Sequence, residues 1–148
     1  MKKKSTKPAA ASSGWVLDSS FALAWALPDE ASDKVDSFWR EVKNGRDIWV
    51  PSLWWFETGN ALVMARRRKR ITDRDALDII RLFSRLPLLT DTLADGPALQ
   101  RFFYTAQASQ ISAYDAAYLE LALRRGLGLA TLDTKLKHAA EDSGIAAW

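Results

Sequence analysis

Short apolar runs alternate with helix-spaced segments along this chain, and that alternation constrains its fold more than any other feature. Residues 15–18, 47–50, 86–90, 127–131 and 144–148 each read as a short strand. Between them, apolar residues recur every three or four positions, as in Val35, Phe38, Trp39 and Val42. That period buries one face of a helix. Strands separated by helices do not pair as hairpins; they form a parallel sheet with helices on both faces. Pro87 lacks an amide donor, which places the third strand at a sheet edge.

The helical segments have readable ends. Residues 19–27 stop at Pro28, and residues 31–43 stop near Gly45. Pro51 and Ser52 start a helix that runs out in the basic stretch 66–70. Thr72, with Asp75 three residues on, reads as the cap of the next helix. Gly96-Pro97 delays a helix over residues 93–109, Gly126 closes one over 112–125, and the last covers 134–142. In a sheet of this kind ligands bind outside the carboxyl ends of the strands, where strand order reverses. Asp18 and Asp133 both fall at or just after such an end.

Composition narrows the chemistry. The 148 residues can bury a core without disulfides or a structural metal. Cysteine is absent, so thiolate catalysis, disulfides and zinc–thiolate sites are excluded, and the single histidine, His138, excludes a multi-histidine metal centre. Carboxylate, hydroxyl and cation chemistry remain. Residues 1–14 carry Lys2, Lys3, Lys4 and Lys7 without an apolar signal core, and read as a disordered basic tail before a domain over residues 15–148. No stretch is long enough to span a bilayer, which gives a cytoplasmic expectation. Outside the tail, 17 basic residues face 18 acidic ones. Setting aside four candidate site acids leaves a mildly basic shell, suited to a polyanion.

Those acids are Asp18, Glu57, Asp115 and Asp133, one from each of four elements and each attached to an apolar stretch. Glu57 shares a helix face with Leu53, Trp54, Ala61 and Met64, a costly place for an unpaired carboxylate. Each acid also has an ordinary reading. Asp18 and Asp133 can cap helices, Asp115 follows Ser112 at capping-box spacing, and Glu57 can reach solvent or an arginine. Four such carboxylates brought together would repel one another unless cations or protons were taken up. Oxygen-only ligands select Mg²⁺, with Mn²⁺ as a substitute, and such ions serve phosphate-ester chemistry.

The four segments in order carry a resemblance. Val16-Leu-Asp18-Ser-Ser20, Pro51 through Leu62 around Glu57, Tyr114-Asp115-Ala-Ala-Tyr118 and Ala130-Thr-Leu-Asp133 resemble the PIN-domain ribonucleases, most closely the VapC toxins of VapBC toxin–antitoxin modules. The resemblance implies a three-layer α/β/α sandwich around a parallel sheet of about five strands, and a Mg²⁺-dependent endoribonuclease. It implies Asp18 and Asp115 as metal ligands, Glu57 and Asp133 as further catalytic acids, and Ser20 and Thr131 as hydroxyls near the ligand or phosphate. A cognate VapB-like antitoxin follows from the same likeness. Thr134 and Lys135 stand where some relatives carry further acid, which leaves the metal count open.

Lys135 is placed to meet RNA entering the site. Residues 66–70 read either as a phosphate contact or as cations complementing a helix end, and Arg124-Arg125 as the latter. Of Trp54-Trp55, one should pack in the core and the other face a partner, and seven tryptophans suit a homodimer or an antitoxin contact. Two other functions stay open: a PIN-like module that binds RNA or protein without cutting, and aspartyl phosphotransfer. The second is disfavoured because Ser19-Ser20, not a second acid, follows Asp18.

Overall fold

The computed structural model describes residues 14–43 and 45–148. Strands β1 (Gly14–Leu17), β2 (Asp47–Pro51), β3 (Leu88–Asp91) and β4 (Gly128–Ala130) form one parallel sheet in the order β3-β2-β1-β4. The helices are α1 (Ser19–Ala26), α2 (Asp33–Val42), α3 (Leu53–Arg67), α4 (Asp73–Arg85), α5 (Gly96–Ser109), α6 (Ala113–Arg125) and α7 (Thr134–Asp142). β3 lies at the edge, as expected, although it begins at Leu88, after Pro87. The expected tail over residues 1–14 lies outside the described residues except for Gly14, which opens β1.

The fifth strand expected over residues 144–148 is a single parallel bridge between Leu129 and Ala147. Leu129 N–H donates to Ala146 O at 2.8 Å and Trp148 N–H to Leu129 O at 2.9 Å. Four strands and one bridge replace the expected five.

Connection handedness explains the layers. Crossovers between parallel strands are right-handed. The steps from β1 to β2 to β3 run one way across the sheet, which puts α1–α4 on one face. The step from β3 to β4 passes back over β2 and β1, so α5 and α6 cover the other face. α6 packs on β1, β2 and β4, and α7 on β4 and α6. Both neighbours of β1 are thus entered from opposite directions, and the reversal falls between β1 and β4.

The core justifies the apolar runs. All four residues of β1 and all three of β4 are buried, as sequences covered on both faces must be. Residues 116–122 of α6 are buried without interruption, which marks it as the central helix. Phe38 meets Trp15, Phe21 and Trp148 edge-on, with ring centroids 4.9–5.9 Å apart. Gly128 is required where it stands, because a Cβ there would strike the Trp15 ring. Trp54 is fully buried, whereas Trp55 is 40% exposed and its indole N–H donates to Thr90 Oγ1 at 3.1 Å. Thr72 and Asp75 form the capping box the sequence indicated. No helix among the described residues is long and apolar enough to cross a membrane.

Candidate functional site

The reversal in strand order places the end of β1 beside the end of β4, and Asp18 stands at that junction. Its backbone N–H donates to Ala130 O at 2.9 Å, which extends the β1–β4 pairing by one step. Its backbone is extended and its carboxylate makes no cap to α1. The side chain is free for another role. Asp18 Oδ2 accepts from Ser20 Oγ and from Thr131 Oγ1, both at 2.7 Å. Oδ1 receives a long contact from Ser19 Oγ at 3.5 Å, and the Ser19 backbone also hydrogen-bonds the carboxylate.

Asp18 is 7% exposed, and burial raises its pKa by disfavouring the charged form. Hydrogen bonds from Ser20 and Thr131 oppose the rise, and the charge on Asp115 adds to it. Glu57, half-buried on α3, is raised in the same way, first by desolvation and then by Asp18 and Asp115. Tyr118 OH and Ser19 Oγ, the latter at 3.3 Å, both donate to Glu57 Oε2. Tyr118 is 1% exposed, and burial together with the Glu57 and Asp18 charges keeps its phenol protonated. Asp18, Glu57 and Asp115 are thus coupled electrostatically, from the end of β1, from α3 and from α6.

Asp115 sits in the first turn of α6, where its N–H donates to Ser112 Oγ at 3.0 Å and its Oδ2 accepts from that hydroxyl at 2.9 Å. Asp133 is the cap of α7 and accepts from Leu136 N–H at 2.9 Å. It stays connected to the cluster, because its N–H donates to Thr131 Oγ1 at 3.0 Å. Ser20 and Thr131 both grip Asp18, and Ser20 Oγ also accepts from Leu132 N–H at 3.3 Å. Lys135 and His138 are exposed on α7. Sequence reasoning missed Ser19 and Tyr118. The signal for Tyr118 was its place one turn beyond Asp115, on an adjacent part of the same helix face.

Two buried acids receive opposite treatment. Glu120, 5% exposed, is neutralised by Arg101 at 2.8 Å and Arg124 at 2.9 Å, and Arg124 also reaches Asp91 at 2.6 Å. Asp18 is buried as deeply, yet no lysine or arginine among the described residues pairs with it, with Glu57, or with Asp115 and Asp133. A buried carboxylate that lacks a cation is costly. The donor set is all oxygen, which fits a hard divalent cation. Among the described residues no group of three or more acids or histidines stands close enough to form a closed cage. Within the basic stretch 66–70, Arg66 pairs with Asp73 and Arg70 with Asp29 and Glu30 at 2.8 and 2.6 Å, while Arg67, Arg68 and Lys69 are exposed. Arg125 lies 3.5 Å over the Trp49 ring, close to Arg124 at the end of α6.

Comparison with solved structures finds the same architecture. PAE2754 from Pyrobaculum aerophilum superposes with a TM-score of 0.64 at 23% identity, covering 90% of this chain and 83% of that one. VapBC2 from Rickettsia felis, solved with a DNA fragment from their promoter, gives 0.65 at 11% identity, covering 90% and 96%. VapC20 from Mycobacterium tuberculosis, described as a Sarcin-Ricin loop cleaving toxin, gives 0.62 at 14% identity, covering 85% and 95%. No curated protein matches the chain. The PIN domain family model spans residues 15–142, from the first residues of β1 to the end of α7. With acids at the strand-order reversal and a match running through all four strands, the chain belongs to the PIN domain family.

Proposed function

We propose that this protein is a Mg²⁺-dependent endoribonuclease and the toxin of a type II toxin–antitoxin module. The observation that carries the reading is Asp18: a buried carboxylate, braced by two hydroxyls and raised in pKa, with no cationic partner among the described residues. PIN membership and the fold shared with VapC proteins support it. Asp18 and Asp115 would hold the ion, with Glu57 and Asp133 as further acids, and Mn²⁺ would substitute. When bound, the ion supplies a Lewis acid that makes water acidic enough to lose a proton near neutral pH.

The chain's own residues supply position. Ser20 and Thr131 fix Asp18 Oδ2, and Oδ1 has a long contact from Ser19 Oγ. Tyr118 and Ser19 hold Glu57 Oε2 towards the same place, where its carboxylate orients the attacking water. In the reaction, the water oxygen joins phosphorus and the bond to the ribose 3′ oxygen breaks. That oxygen leaves as a hydroxyl, and the other fragment keeps a 5′-phosphate. Exposed Lys135 meets the RNA backbone. A VapB-like antitoxin, a homodimer and a cytoplasmic setting belong to the same reading.

The test is cleavage of total RNA by purified protein with Mg²⁺ and with EDTA, beside Asp115→Asn prepared identically. Mg²⁺-dependent cuts with 5′-phosphate and 3′-hydroxyl ends, lost in the folded variant, are expected. Ends carrying 2′,3′-cyclic phosphate would refute the water attack. RNA binding without any cutting would instead favour the silent PIN-like binding module, to which the open arrangement of acids lends some support.

A further inference from the structure

Beside the acidic cluster, at the carboxyl ends of β2 and β3, the fold leaves a small pocket of about 260 Å³. Pro51, Leu93, Phe102 and Ala117 give it apolar walls, Asp91 and Ser52 add polar edges, and Tyr114 belongs to its lining. The Asp91 carboxylate is already held by Arg124 at 2.6 Å and Arg125 at 3.5 Å, so the pocket carries no uncompensated charge.

Helix geometry ties this pocket to the acids. On α6, Ala113 and Ala117 are one turn apart and form one stripe. Advancing 100° per residue puts Tyr114 about 60–100° round from that stripe and Asp115 about 160° round, on the opposite face. Tyr114 is therefore the side chain between pocket and cluster. It is 66% exposed, so its ring is open to a ligand. On the opposite wall, Leu53 of α3 lies one turn before Glu57.

We propose that this pocket binds one unpaired nucleobase of the RNA substrate, the base next to the scissile phosphate, with Tyr114 as its stacking platform. The proposal rests on the ribonuclease reading above and adds where sequence selectivity arises. A base is the neutral, planar part of a nucleotide, and it suits apolar walls with a few polar edges, here Asp91 and Ser52. Its phosphate stays outside, at Asp115, where a cation would offset both charges. The Asp91 carboxylate retains acceptor capacity for a base N–H. Such a pocket requires a base that is out of a helix, so it selects single-stranded loops and bulges.

The test uses the full chain with Mg²⁺ and RNA, and maps the cut positions for wild type, Tyr114→Ala, Tyr114→Phe and Ala117→Leu. Loss of one stacked base predicts a fall in kcat/KM of about tenfold for Tyr114→Ala. The base preference beside the cut should weaken in that variant and return in Tyr114→Phe. Ala117→Leu should shift the preference towards smaller bases, and Mg²⁺ affinity should be unchanged in all three. Wild-type rates and cut positions in Tyr114→Ala would overturn the pocket while leaving the nuclease standing. If wild type cuts nothing, the nuclease reading falls instead. Photocrosslinking of single-stranded RNA containing 5-iodouracil to Asp115→Asn then decides the pocket separately. Adducts on Tyr114 or Phe102 support it, and adducts elsewhere, or none, overturn it.

Discussion

Replacing Tyr118 by Phe removes a single oxygen, and the structure says what that oxygen does. It donates to Glu57 Oε2, which otherwise has only the Ser19 hydroxyl at 3.3 Å. A hydrogen bond to a charged group contributes about 1.5–3 kcal/mol. Glu57 is only half-buried, so water can replace part of the loss, and the variant no longer buries a hydroxyl. Both effects favour the low end, about 1.5 kcal/mol. For a domain of this size that corresponds to a fall in Tm of about 4–7 °C. The pH dependence follows from sign. The phenol holds Glu57's pKa down against burial, so it stabilises the ionised form. The difference between wild type and variant should be full at neutral pH and shrink as acid protonates Glu57. Thermal unfolding in EDTA at pH 7.5 and pH 4.5, followed by circular dichroism, measures both quantities. Equal losses at the two pH values, or no loss at pH 7.5, would refute the reasoning and reduce Tyr118 to core packing.

Three further outcomes are expected. Asp18→Asn should make the metal-free protein more stable at neutral pH, because the raised pKa of Asp18 means that its charge disfavours folding there. Its contribution is favourable below the unfolded pKa and is lost as pH rises through the folded one, so the advantage of the variant should vanish in acid. Denaturant titrations of the two proteins across pH check this. Gly128→Ala should cost about 1–3 kcal/mol, because its methyl group displaces the Trp15 ring, and a blue-to-red shift in tryptophan emission should accompany the loss. Glu120→Ala should cost about 3 kcal/mol, the low end for breaking a buried pair, since Arg101 and Arg124 are 37% and 28% exposed and can recover water. Chemical denaturation reads that loss.

Much of this was visible in the chain before it was folded. β1 and β4 were legible because covering a strand on both faces demands an unbroken apolar run. The C-terminal strand was overestimated, because residues 144–148 have a strand's composition but only one bridge's worth of partner. Asp18 and Glu57 stood out as acids in apolar surroundings, and their burial and raised pKa values agree with that signal. Glu120 carried the same signal and was passed over. Its resolution was also local, since Arg124 is one helical turn away. Asp133 shows the limit of such reasoning: a helix cap and a site acid look alike after a strand, and here the residue caps α7 while touching the cluster through Thr131. Ser19 was not legible, because its role depends on α1 meeting α3, and Tyr118 was legible only through its place one turn beyond Asp115, since its partner lies on α3.

The central claim is that Asp18 holds a divalent metal ion. Isothermal calorimetry of the full chain with Mg²⁺ and with Mn²⁺, beside Asp18→Asn, tests it most directly, with thermal unfolding of both proteins as a control for folding. The account predicts saturable binding in wild type and its loss in a folded Asp18→Asn, with wild type stabilised by about 2.7 kcal/mol at a hundredfold excess over Kd. Equal binding in both proteins, or none in wild type, would contradict it.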